Sequence, residues 1–323
     1  MKKILIPLAA ALLAGCECDN CRCKCDDVKD PVVGNWGLKL GYDDMNAGHA
    51  IFSRDADGNA QALVLWRWAS PEPMQDVKFD GRKFSFFHPR TSNRIEGTVC
   101  GGKLKGAMLK QDGSVETTIE GWRNPPIEDA NTDDARLGEP IDLLKDGLDG
   151  WEKLGVNPKF GWSFKDGVLS NTLGLNEKGE WAGGGVNLRT KRADFYDFNL
   201  EYDVRVPKDS NSGVYLRARY ECQVVDSYGQ TEDRIHSMGT YYGRVAPSVA
   251  AEKPAGEWQH VNVTLYKRHI TVILNGVRII DNAPVVGITG GAVDANEFVP
   301  GFIYLQGDHS DADYKNMILR PCL

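Results

Sequence analysis

Residues 211–226, NSGVYLRARYECQVVD, carry the densest set of groups able to do chemistry. If the segment is one β-strand, its side chains alternate between two sides. Val214, Leu216, Ala218, Tyr220, Cys222 and Val224 then share one side, and Tyr215, Arg217, Arg219, Glu221 and Gln223 the other. The first side suits a core. The second offers two guanidiniums, a carboxylate, an amide and a phenol, the fixed donors and acceptors that grip a polyhydroxylated ligand. The same residues would also suit a solvated face on which Arg and Glu, about 7 Å apart at alternate positions, neutralise one another. The two readings divide on whether this hydrophilic side lines a pocket.

The elements that must position these groups are read as strands. The chain has 323 residues, 41% hydrophobic and 26% charged, enough for two domains with cores. Short runs rich in Val, Thr, Tyr and Phe alternate with Asp-Gly and Asn-Gly pairs, and no long segment holds a helical period, which predicts an antiparallel all-β protein. The net charge is -7, with no basic concentration able to follow a phosphate backbone, so nucleic acid is excluded as an expected partner.

The N-terminus, MKKILIPLAAALLAGC, has two lysines, an apolar run short for a span, and small residues before Cys16. It reads as a secretory signal over residues 1–15. Leu13, Ala14 and Gly15 before Cys16 resemble the lipobox of bacterial lipoproteins, which implies lipidation of Cys16 and an exported chain anchored to the bacterial envelope. A Cys-rich tether over 16–32 follows, with Cys18, Cys21, Cys23 and Cys25 among charges. Clustered thiols could take a soft metal, but a tetrahedral site lacks its second cluster or histidine, and disulfides suit an exported chain better. Cys222 reads as a small buried hydrophobe.

Residues 33–123 are a run of short strands joined at turns such as Asp57-Gly58, Asp80-Gly81 and Asp112-Gly113, predicting a small β-barrel or β-sandwich. Gly34-Asn35-Trp36 is reminiscent of the start of lipocalin-like barrels. Trp36, Trp66, Trp68 and Trp122 read as core and rim packing, and His49 and His88 receive no role. Residues 124–138, with two prolines and an acidic run, read as a linker. From 139 to 323 the strand pattern resumes, each strand with one apolar face, predicting two stacked antiparallel sheets.

The motifs of that second region resemble the 3-keto-disaccharide hydrolase domain family. They are DLLKDGLDGWE, WSFKDGVL at 162–169, LRTKRADFYDFNLEYDVRV, NSGVYLRARYECQVVD, GTYYGRVAPSVAAEKPAGEW, TVILNGVRIID and FIYLQGDHSDADYKNMIL, in order across 139–323. The resemblance implies a concanavalin A-like jelly-roll sandwich, here preceded by a companion β domain. Two places depart from the family pattern: Trp258-Gln259 stands where Trp-Asn is common, and Gln306-Gly307-Asp308-His309-Ser310 where a tight Gln-Asp-His-Gly is. The paired acids of β-glucanases, which share the fold, are also missing. Glu201-Tyr202-Asp203 begins that signature, but Arg205 follows and no second Glu, which disfavours two-carboxylate glycoside hydrolysis.

What the resemblance implies is cleavage of glycosides already oxidised to a ketone at C3. The carbonyl acidifies the hydrogen on C2, so an ordinary base can remove it if the enolate oxygen is stabilised, and elimination then expels the C1 oxygen. On this reading Arg217, fixed on a rigid strand, holds the ketone or enolate oxygen, and Glu221 and Gln223 fix sugar hydroxyls. His309 shuttles a proton and Tyr242 donates to the leaving oxygen. Tyr215, Arg219, Asp226 and Gln306 complete the substrate contacts. A divalent cation such as Ca²⁺ could be held by Glu221, Asp226 and Asp308, with Gln306 as a further oxygen donor. Replacing Arg217 by alanine would then abolish cleavage with little loss of stability. The alternative is a non-catalytic carbohydrate-binding lipoprotein, because the same sandwich serves lectins.

Overall fold

A computed structural model describes residues 30–323. The segment read as a secretory signal, Cys16 and the cluster Cys18, Cys21, Cys23 and Cys25 lie outside the described residues. The chain is all-β and divides into two compact units: one ends at Pro125 and includes Val293–Glu297, and the other holds Pro126–Ala292 and Phe298–Leu323.

In the first unit nine strands follow one another: β1 (Gly34–Leu40), β2 (Ala47–Arg54), β3 (Ala60–Trp66), β4 (Glu72–Pro73), β5 (Gln75–Asp80), β6 (Lys83–Phe87), β7 (Arg94–Cys100), β8 (Lys103–Leu109) and β9 (Val115–Arg123). They form one antiparallel sheet in the order β4-β3-β2-β1-β9-β8-β7-β6-β5. Pairing β1 with both β2 and β9 curls the meander into a nearly closed barrel. Alternate residues point inward, and Trp36, Leu38, Leu40, Phe52, Phe84 and Phe86 fill the interior. Phe52 packs 5.3 Å from Phe84 and 5.8 Å from Phe86, centroid to centroid.

The second unit has thirteen strands. They are β10 (Ile141–Asp142), β11 (Trp151–Leu154), β12 (Trp162–Lys165), β13 (Val168–Asn171), β14 (Asn187–Thr190), β15 (Phe198–Arg205), β16 (Asn211–Leu216), β17 (Tyr220–Val225), β18 (Gln259–Tyr266), β19 (His269–Leu274), β20 (Val277–Pro284), β21 (Tyr304–Leu305) and β22 (Ala312–Pro321). One sheet runs β12-β13-β22-β15-β18-β19-β20, with β10 also on β22, and the other runs β11-β14-β21-β16-β17. The sheets stack as the predicted concanavalin A-like sandwich. Leu200, Tyr202 and Val204 from one sheet and Val214, Leu216, Cys222 and Val224 from the other are all completely buried. The Tyr202 hydroxyl lies 3.4 Å from Cys222 Sγ, and burial pushes that thiol up to about 12. Cys222 is thus the small buried residue its face requires.

The segment read as a linker is held along the second unit over much of its length. The Thr132 amide donates to Asn282 Oδ1 at 2.9 Å, Thr132 and Thr271 share a hydroxyl contact of 2.6 Å, and Arg278 bonds Asp133 at 2.9 Å. Polar composition marks a segment without an apolar face, and side-chain hydrogen bonds can hold such a segment as well as leave it loose.

Candidate active site

The stretch 211–226 is not one strand. It folds into the hairpin β16–β17, with Leu216 opposite Tyr220 and a turn at Arg217, Ala218 and Arg219 closed by the Arg219 amide donating to Leu216 O at 3.0 Å. Arg217 and Ala218 both take left-handed backbone, φ 54° and 62°, where glycine or asparagine would ordinarily stand. The sequence hides the turn because Arg-Ala-Arg carries no turn residue. The alternation nonetheless holds within the strands. Three loop residues preserve parity, so Val214 faces Cys222 on the core side and Tyr215 faces Glu221 on the hydrophilic side.

The register extends that hydrophilic position into a row across the whole sheet. Glu152 on β11 pairs with Arg189 on β14, Arg189 with Tyr304 on β21, Tyr304 with Tyr215 on β16, and Tyr215 with Glu221 on β17. Directly opposed residues project to the same side. Arg189 bonds Glu152, and the Tyr215 and Tyr304 rings stack at 3.9 Å. Beyond Glu221, the Tyr242 amide donates to Glu221 O at 3.1 Å and brings Tyr242 alongside.

This side is neither an open wall nor a wetted exterior, because the segment Gly287–Ala292 covers part of it. The Glu221 amide donates to Thr289 Oγ1 at 3.0 Å, and the Tyr304 hydroxyl donates to Gly291 O at 2.6 Å. A Cβ on Gly291, whose φ is 77°, would lie 2.6 Å from the Tyr215 hydroxyl, and one on Gly213 would lie 2.3 Å from Glu221 Oε1. Both glycines make room for the Tyr215–Glu221 pair.

Glu221 is 3% exposed, and burial pushes its carboxyl up to about 8, with the Tyr215 hydrogen bond opposing and the charge of Asp308 adding to the rise. Hydrogen-bond counting agrees. The single Tyr215 hydroxyl hydrogen faces two acceptors, Gly290 O at 2.8 Å and Glu221 Oε2 at 2.9 Å. Both contacts are satisfied when the hydrogen goes to Gly290 and a protonated Glu221 donates to the phenol oxygen. Asp308 in turn bonds His309, Oδ1 to Nδ1 at 2.6 Å, and this bond, together with the Asp308 charge and against partial burial, raises the imidazole's pKa. A second His–Asp pair lies nearby: His236 Nδ1 is 2.8 Å from Asp233, and its ring sits 4.8 Å from that of Tyr242.

The expected site residues therefore separate. Glu221, Tyr215 and Tyr242 come together, with Asp308 within electrostatic reach of Glu221 and His309 bonded to Asp308. Gln223 is buried opposite Gly213, and its Oε1 accepts from the Val224 amide at 3.0 Å. Gln306 continues the hydrophilic side beside Tyr304, its amide donating to Gly213 O at 2.9 Å and its Oε1 buried without a protein donor. Arg217 and Arg219 are 0% and 1% exposed and held by protein: Arg217 stacks 4.2 Å from the Tyr196 ring and bonds Val299 O, and Arg219 bonds the Arg217 carbonyl. Asp226 lies at the far end of the hairpin, its Oδ2 accepting from the Asp209 amide at 3.0 Å. Among the described residues no three or more His, Cys, Asp or Glu side chains are placed to hold a metal ion, so Glu221, Asp226 and Asp308 do not converge as a cation site.

Sequence reading missed Glu152, Arg189, Tyr304 and the Asp233–His236 pair. The alternation of FIYLQ, which puts Tyr304 on the side of Gln306, was a usable signal for one of them. The others lie on strands or loops whose sequence does not say which neighbour they meet.

Residues 140–320, more than half of the chain, match the family described as the 3-keto-alpha-glucoside-1,2-lyase-like domain. Among solved structures, the chain is similar to two candidate glycosyl hydrolases from Parabacteroides distasonis. One is 24% identical with TM-score 0.44, covering 61% of this chain and 93% of the other, and the second is 18% identical with TM-score 0.45, covering 57% and 94%. A carbohydrate-binding module from Bacillus subtilis aligns at 10% identity and TM-score 0.33 over 53% of this chain and 95% of that one. No curated protein matches the sequence.

Proposed function

Because this chain belongs to the 3-keto-alpha-glucoside-1,2-lyase-like domain family, and is with it a carbohydrate-active, glycosyl hydrolase-like protein, we propose that it cleaves glycosides bearing a ketone at C3 of the sugar. The observation that supports this most is Glu221, a carboxyl that burial raises to about 8, within electrostatic reach of the Asp308 that bonds His309. Two titratable groups with different environments divide acid and base roles between them. His309, oriented by Asp308, takes the hydrogen from C2, and the C2–H electron pair becomes the enolate. Glu221 supplies the proton to the C1 oxygen as the C1–O bond breaks, with Tyr242 beside it as a further donor. Water added to the resulting unsaturated ketone would complete a net hydrolysis. We also propose the exported, envelope-anchored form that the Cys16 motif suggests.

The test is to incubate the soluble chain with a 3-keto-disaccharide and with the unoxidised disaccharide. Monosaccharide release, or an unsaturated ketone, from the oxidised substrate alone is the expected result. Equal cleavage of both, or of neither, would remove the proposal.

The pH profile should be bell-shaped. His309 must be neutral to act as base, and Glu221 must be protonated to act as acid. Asp308 raises the pKa of both groups. In Asp308→Asn both fall, so both limbs of the kcat/KM profile should move to lower pH together. A shift of one limb alone would separate the two residues mechanistically.

A further inference from the structure

The first unit holds a cavity lined by residues that the chemistry above does not use. At one end of the barrel a cavity of about 260 Å³ is walled by Tyr42, Trp66 and Trp68, with Arg67, Glu72, His88, Arg90 and Glu116 around it. Small-molecule sites begin at about 300 Å³, so the space suits a ligand of one or two rings. Its floor is Val64 and Met108, which belong to the core that fills the barrel.

Trp68 is 51% exposed, and the backbone around it takes left-handed angles at Arg67 and Ala69. The Trp68 amide donates to Trp66 O at 2.9 Å across Arg67, whose φ is 69°. That is the γ-turn of the rare, strained hand, and Ala69 follows with φ 60°. The Arg67 guanidinium secures the arrangement: it lies 4.2 Å from the Tyr42 ring and 5.3 Å from the Trp68 ring, and donates to Met45 O at 2.9 Å. Strain of this kind persists where surrounding contacts over-determine it, and it clusters at ligand sites.

The polar rim narrows the ligand class. Two arginines and two glutamates line the cavity and balance in charge, and the cations are already engaged, Arg90 with Glu72 and Arg67 with Asp44. An anionic ligand would find no uncommitted arginine. His88 is 9% exposed, and its Nδ1 accepts from the Arg90 amide at 3.2 Å, which leaves the ring proton on Nε2 as a donor. We propose that this barrel-end cavity is a saccharide-binding site in which a neutral sugar ring lays its C–H face on Trp68 and turns its hydroxyls to Glu72, His88 and Glu116.

The test is isothermal titration of the full soluble chain with glucose, maltose, cellobiose and trehalose, with ligand-observed saturation-transfer NMR as a second readout. At least one should bind saturably. Trp68→Ala should weaken it roughly tenfold or more, as expected for loss of a stacking face. Arg67→Gly accepts the same backbone angle, removes the guanidinium under the platform and should also weaken binding. Glu221→Gln, in the other unit, should leave it unchanged. Absence of saturable binding by all four sugars, equal affinity in Trp68→Ala, or loss of binding in Glu221→Gln would each overturn the assignment.

Discussion

Replacing Glu221 by glutamine is expected to cut turnover of a 3-keto-disaccharide by about 10²- to 10⁴-fold, the usual contribution of a general acid or base. The substitution keeps the shape, and its amide N–H can donate to the Tyr215 oxygen as the protonated carboxyl does, so the loss reports the missing proton. It should also erase the alkaline limb of the pH profile near pH 8, where the wild-type carboxyl ionises. A stability effect accompanies it, with a definite sign. The folded-state pKa lies above the ordinary glutamate value, so the folded state binds the extra proton, and this contribution is fully present below about pH 4.5 and lost as pH rises to about 8. The melting temperature of Glu221→Gln relative to wild type should therefore rise progressively across that window and level off above it. A variant with turnover within about threefold of wild type would take Glu221 out of the chemistry. A stability difference that does not vary with pH would mean that the carboxyl is ionised in the folded protein.

Arg217→Ala should destabilise the chain by about 3 kcal/mol, the scale of emptying a large buried site. This reverses the expectation drawn from an open strand. Arg217 is completely buried, stacks on Tyr196 and ties the hairpin turn to Val299 O. Alanine would leave a cavity and keep the left-handed backbone at φ 54° without the contacts that hold it. Urea unfolding measures the loss, and Arg217→Gly separates its two parts, since glycine relieves the backbone strain while still emptying the site. Stability within about 0.5 kcal/mol of wild type in Arg217→Ala would show that the guanidinium contributes little to the packing. Asp197 offers a second readout. Burial raises its carboxyl and the Arg217 charge is among the opposing effects, so the variant should raise its pKa further.

The contrast between these two residues shows how far the sequence reaches. Glu221 and Tyr215 were assigned to one side of the stretch by alternation alone, and the assignment survived an unseen turn because three loop residues keep parity. Arg217 was assigned by the same rule and fell in the turn itself, where alternation has no meaning. A turn written with glycine or asparagine announces itself; Arg-Ala-Arg does not, since its left-handed angles are imposed by burial and stacking that form only after the chain has folded.

By itself, the sequence determined the strand character of both units, the apolar face of each strand and the family motifs across the second unit. These follow from local side-chain period and turn chemistry, which act over a few residues. Only the tertiary structure decided that Glu152, Arg189, Tyr304, Tyr215 and Glu221 stand in one row, that Gly287–Ala292 covers part of it, and that burial raises the pKa of Glu221. Register between strands far apart in the chain sets the row, and the loss of water around a covered carboxyl sets its charge; neither is a property of any short segment.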